Sequence, residues 1–150
     1  PHSTGDRRPH RLAPRPTNAA KKGLTSIPPH QTMEPTALIL RHEDEAPKEP
    51  SACGNRYRLL SKGDENVAAW AHAVDIDGAK PHYHKRATEL YYVLEGEGQV
   101  VLDAETRDVR PGTMIHIPPR VVHGAIGKMR ILVVGIPDID DSDVYYPENA

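Results

Sequence analysis

Across residues 56–137 short apolar runs alternate with clusters of Gly, Pro and Asp, the pattern of consecutive β-strands joined by tight turns. The strands predicted are 57–60, 67–76, 89–94, 98–102, 113–117, 121–125 and 129–136. Turn residues separate them at Asp77-Gly78, at Gly96 and Gly98, at Asp103, at Pro111-Gly112, at Pro118-Pro119 and at Gly127. No stretch between them keeps a helical period. Strands of this length and spacing predict an all-β antiparallel sandwich or barrel.

Residues 1–50 read differently. They are rich in Pro, His, Ser, Thr and Arg and show no period of either kind, so they bury too little apolar surface to offset their ordering entropy. The domain plan is therefore an irregular N-terminal arm over 1–50, a barrel over 51–140 and a C-terminal tail over 141–150. Within the arm, residues 36–40 (TALIL) are the apolar exception and are expected to add as an edge strand to the barrel or to a neighbouring subunit. The first residue is not Met. Met33 is a candidate natural start, with 1–32 read as sequence upstream of the natural frame or added to it; the Arg-rich leader also resembles a transit peptide.

Composition narrows the picture. At 150 residues the chain is sized for one core, and with 37% hydrophobic residues and no Phe that core must be drawn from Val, Ile, Leu, Ala and six Tyr. The one cysteine, Cys53, can form no internal disulfide, which fits a reducing, cytoplasmic setting. No apolar run approaches the roughly 20 residues that cross a bilayer, so no membrane role is expected. The net charge of −2 is uneven: six Lys or Arg stand against one acid before Met33, a surplus of five, so the remainder carries −7. An acidic domain is a poor partner for nucleic acid.

Four residues carry candidate chemistry. His82 and His84 are two apart, so an extended strand sends both imidazoles to one face, with Tyr83 on the other. A short polar turn leads to Glu89, and His123 follows the Ile117-Pro118-Pro119 turn, which can return the chain to the same face. Three imidazoles and a carboxylate suit one divalent transition metal such as Fe, Mn, Ni or Zn, and disfavour Ca or Mg.

These residues carry a resemblance. The stretch from Gly78 through His82, His84 and Glu89 to Gly96 resembles the first cupin motif, and Gly112, Pro118 and His123 fall at the spacing of the second. The resemblance implies a double-stranded β-helix, or jelly-roll barrel, with His82, His84, Glu89 and His123 at the four ligand positions. Three departures stand out. Gly78 lies closer to His82 than in the usual pattern, which implies a shortened loop before the ligands. Gly127 occupies a position often held by Asn. Arg120 replaces a usual Gly, so that turn must change geometry or tolerate strain.

Other polar residues are candidates for the pocket. Tyr91 shares the facing of Glu89; Arg120 lies at the rim; His72 and His116 are barrel histidines, for which a structural hydrogen bond competes with a ligand role. Lys85 and Arg86 lie in the turn beside the ligands. Four ligands can close a structural zinc site, or leave an octahedral metal two open positions for a substrate. The open arrangement predicts a metal-dependent enzyme acting on a small oxygen-rich molecule, by dioxygenase, isomerase, decarboxylase or lyase chemistry. The alternative is a non-catalytic module that binds a sugar-like molecule. An exposed sheet face and edge strands also predict a homodimer. A chain beginning at Met33 is expected to keep its metal and its thermal midpoint, measured by elemental analysis and calorimetry.

Overall fold

The computed structural model describes residues 38–148. Eight strands appear in it: β1 (Lys48–Ser51), β2 (Gly54–Leu60), β3 (Trp70–His84), β4 (Thr88–Leu102), β5 (Glu105–Val109), β6 (Met114–Ile117), β7 (His123–Ile136) and β8 (Val144–Tyr145). Two single turns of 3-10 helix, Glu43–Glu45 and Asp141–Asp143, flank them. The sheet order is β1-β2-β3-β7-β4-β5, all antiparallel, with β6 on the free side of β4 and β8 on β3. This is the antiparallel jelly-roll barrel that the strand pattern and the motif resemblance predict.

β7 is the organising strand, because it pairs with β3 along one edge and β4 along the other. Residues opposite one another in register share a face. The interior rows are therefore Trp70/Gly135/Glu89, His72/Val133/Tyr91 and Val74/Ile131/Val93. Apart from the half-buried Trp70, the side chains in these rows are all buried. Val100, Val109, Ile117, Ala125 and Met129 continue the core. Burial of branched aliphatic and tyrosine side chains supplies the main favourable term, and the absence of Phe is met by Tyr91, among the largest fully buried side chains.

The strands run longer than the sequence pattern predicts. Asp77-Gly78 is not a turn: β3 continues through it as a bulge, with register shifts on both sides of Ala79 and a φ of 78° at Gly78. The shortened loop expected before His82 is thus bulged strand. Segments 89–94 and 98–102 form the single strand β4, bent at Gly96, where φ is 78° and the Lys128 carbonyl occupies the space a Cβ would need. Residues 123–125 of segment 121–125 likewise merge with segment 129–136 into β7 across Gly127, while 121 and 122 stay outside the strand. β5 has no apolar alternation to reveal it, since four of its five residues are exposed and only Val109 turns inward.

At the edges of the barrel, Lys48–Ser51 pairs with β2 although the first part of it falls in the segment read as arm, and Val144–Tyr145 pairs with β3 although it falls in the segment read as tail. Leu38 and Leu40 are almost fully exposed and join no strand; the first residues of the TALIL stretch, like 1–35, lie outside the described residues. Among the described residues no helix is long and apolar enough to cross a membrane. Arg120 takes the left-handed conformation with φ 73°, so the turn tolerates the strain that a non-Gly residue brings. Its N–H donates to the His84 carbonyl at 2.6 Å, tying the turn before β7 to the end of β3.

Two glycines separate backbone strain from collision. Gly112 has φ 89° and open space around its Cα, whereas Gly96 combines φ 78° with the Lys128 carbonyl. Gly112→Ala is expected to cost about 1 kcal/mol and Gly96→Ala about 3 kcal/mol or more in urea unfolding.

Candidate metal centre

His82 and His84 close the C-terminal end of β3, both turned inward and buried. Between them Tyr83 faces out and stacks on Tyr145 of β8, ring centroids 5.5 Å apart. The turn at residues 85–87 delivers the chain to β4, where Glu89 is 3% exposed. His123 opens β7 directly opposite His82 in register and is 1% exposed. Barrel closure thus brings together four residues from three strands, and one donor atom from each lies within 4.8 Å of the others.

The histidines are aimed from behind. The Nδ1 of His82 lies 2.9 Å from the Lys80 carbonyl, that of His84 3.0 Å from the Asp143 carbonyl and that of His123 2.9 Å from the Val121 carbonyl. A carbonyl only accepts, so each Nδ1 carries the proton and, in a neutral ring, each Nε2 presents a lone pair to the centre. The Nε2 atoms of His84 and His123 are buried and, among the described residues, make no hydrogen bond, although Glu89 oxygens stand 3.3 and 2.8 Å away. Buried nitrogens left without a directional partner around one carboxylate are what a cation site requires. His82, His84, Glu89 and His123 could hold a metal ion.

The electrostatics agree. Burial pushes the Glu89 carboxyl up, but its contacts with His123 and then His84 outweigh this and hold it well below the usual range. Burial, then the neighbouring His123, pushes His82 down to about 4, so it stays neutral. Burial would also lower His84, yet contact with Glu89 prevails and its pKa is raised. The buried carboxylate therefore draws positive charge onto its surroundings, a place a divalent cation can take.

Beside the centre lies a cavity of about 390 Å3, walled in part by His82, His84, Glu89, Cys53, Trp70 and His72. The candidate residues fall into two groups. Tyr91 is buried against the centre, its hydroxyl donating to Glu89 Oε2 at 3.0 Å and lying 3.4 Å from Cys53 Sγ. Burial lifts its pKa well above the ordinary value, so the hydroxyl keeps its proton. His72 lines the cavity. Arg120 and His116 are instead exposed and do not line it. Lys85 turns outward onto the Tyr145 ring, 3.8 Å from its centroid, and the Arg86 guanidinium stands 3.7 Å from Asp143.

Two residues near the centre escape a reading of the sequence. Cys53 Sγ sits 3.7 Å from His82 Nε2, and burial raises the thiol pKa to about 12. Asp143 lies in the segment read as tail, yet it is 2% exposed, and its carboxylate accepts from the backbone N–H groups of Arg86 and Ala87 at 3.0 and 2.9 Å. It therefore holds both His84 and the turn that leads to Glu89. Neither residue has a local signal, since their neighbours lie 29 or more positions away.

A four-residue His3Glu centre inside an antiparallel jelly roll defines a class, and comparison with known proteins gives the same one. Residues 74–135 match the family described as Cupin domain. Residues 74–135 are therefore a cupin domain, and this segment supplies the paired core strands and all four centre residues. Over 79 residues, 49% of the chain, it is 44% identical to an uncharacterized protein of Methanocaldococcus jannaschii, covering 63% of that protein. Over 75 residues, 47% of the chain, it is 38% identical to the quercetin 2,3-dioxygenase of Bacillus subtilis, covering 22% of it. The chain thus spans less than two thirds of either relative. Among solved structures, a protein from Planctomyces limnophilus superposes with a TM-score of 0.68 over 73% of this chain and 97% of that one at 24% identity, a likeness of fold.

The geometry of Asp143 yields a test. Asp143→Ala leaves two backbone N–H groups without their acceptor and is expected to cost about 2–3 kcal/mol in urea unfolding with a chelator present.

Proposed function

We propose that the barrel binds one divalent transition metal, Fe, Mn, Ni or Zn, through His82, His84, Glu89 and His123, and acts as a metal-dependent enzyme on a small oxygen-rich molecule held in the adjoining cavity. The observation that carries this reading is the set of three imidazoles pinned through Nδ1, with the Nε2 atoms of His84 and His123 buried and unbonded around Glu89. When bound, such a metal supplies Lewis acidity and open coordination positions for a substrate oxygen.

The chain's own residues do the rest. His82, His84 and Glu89 border the cavity, which favours an open working site over a sealed structural zinc. Tyr91 keeps its proton and donates it in a hydrogen bond to Glu89 Oε2, fixing the carboxylate's orientation. The match to a protein named as a dioxygenase supports an enzymatic reading, while the fold itself hosts isomerase, decarboxylase and lyase chemistry equally well.

We further propose a homodimer. The outward faces of β4, β6 and β7 expose Tyr92, Leu94, Met114 and Ile136, an apolar surface that a second copy can cover.

His123→Ala is expected to weaken metal binding at least about 100-fold with the barrel still folded, read by elemental analysis and circular dichroism. Full occupancy in the variant overturns the ligand assignment. Light scattering at micromolar concentration is expected to give twice the chain mass.

A further inference from the structure

One interior row places Trp70 on β3, Gly135 on β7 and Glu89 on β4 in register. Gly135 leaves its place empty, and the Trp70 indole fills it: a Cβ on Gly135 would collide with Cε2, Cζ2 and Nε1 of that ring. The indole therefore lies across β7, the strand between its own and that of Glu89. It also stacks on His72, with ring centroids 4.7 Å apart and planes 24° from parallel. Both rings line the cavity, together with Val74 and Val133. The body of the cavity is aromatic and apolar on this side.

Elsewhere its wall is polar, and the charged groups there are mostly committed to one another. Arg56 is paired with Glu49 and Asp141, Arg58 with the same two acids, and Lys62 with Asp140. Among the described residues no cation lining the cavity is left unpaired for a phosphate or a sugar acid. His72 differs. It is 5% exposed, and among the described residues its Nε2 has no hydrogen-bond partner. Burial, then the charges of Arg56 and Arg58, lowers its pKa to about 4, so the ring is neutral and holds one donor and one acceptor.

We propose that the cavity selects a planar aromatic ligand of the catechol class, its two adjacent oxygens directed to the His82/His84/Glu89 side and a polar substituent on its far side meeting the His72 ring. The inference rests on the metal reading above and narrows its substrate class. An aromatic ring gains offset stacking and dispersion against the Trp70–His72 pair, whereas a polyol loses water without regaining its hydrogen bonds. A ligand that reaches the His72 ring gives it a hydrogen-bonding partner in a wall whose charged groups are already paired.

Trp70 is the single tryptophan of the chain, so its indole N–H gives one resonance that reports on the cavity. The test titrates zinc-loaded, nitrogen-15-labelled full-length protein with catechol, 3,4-dihydroxybenzamide and glucose 6-phosphate, with zinc content measured on the same sample. Both diols are expected to shift the indole resonance saturably, the amide binding about fivefold more tightly than catechol, and glucose 6-phosphate is expected to leave it in place. His72→Phe should hold its zinc but erase the advantage of the amide, and His72→Gln, which keeps a donor, should restore part of it. Zinc-loaded protein that ignores both diols, or prefers glucose 6-phosphate, overturns the inference, as does a His72→Phe variant that keeps the amide's advantage. If zinc fails to load, the metal reading falls by itself. The indole response to the amide in that zinc-free sample still decides the aromatic cavity: a shift supports it and none overturns it.

Discussion

Three backbone carbonyls, of Lys80, Val121 and Asp143, each take the Nδ1 proton of one histidine, and the site depends on that arrangement. A buried imidazole has two nitrogens to satisfy, and fixing one on the main chain decides what the other can do. Two of these hydrogen bonds are local, reaching back two residues along β3 and along the approach to β7. The third spans 59 positions and exists only because Val144 pairs with His84 and brings Asp143 under the ring. The C-terminal segment is therefore part of the wall that aims the centre. Asp143 acts twice there, through its carbonyl on His84 and through its carboxylate on the amides of Arg86 and Ala87.

The arrangement is costly to the fold alone. Glu89 is almost wholly buried as a carboxylate, with one hydrogen bond from Tyr91 and two imidazoles at contact distance. Burying such a charge is unfavourable unless it is matched by opposite charge. Paired strands on both sides of β7 hold these groups in place despite that cost, and ordinary aliphatic packing beyond the next interior row offsets it. A bound cation would turn the most unfavourable part of the barrel into one of its tightest.

The sequence reveals the site where the relation is local or carried by a motif. The His82/His84 spacing fixes a shared face by strand geometry, and Glu89 and His123 follow from the glycine and proline spacing around them. It is silent where the relation is created by closure. Nothing near Cys53 points to His82, 29 residues away, and nothing near Asp143 points to the turn at Arg86 and Ala87. The strand pattern misleads at Gly78, Gly96 and Gly127, where left-handed glycines bend or bulge strands that a reading of turn residues would end. It misses Glu105–Val109, whose single inward side chain cannot set up an alternation. Arg120 and His116 were legible as residues but not as placements, since only the folded chain shows that both face solvent.

The central claim is that His82, His84, Glu89 and His123 together ligate one ion, and X-ray absorption at the metal edge of the loaded protein tests it most directly. The account predicts a shell of nitrogen and oxygen scatterers near 2.1 Å whose outer features require three imidazoles, and the loss of one imidazole contribution in His84→Ala. A sulfur scatterer near 2.3 Å, which would bring Cys53 into the coordination shell, or a spectrum fitted with fewer than three imidazoles, would contradict it.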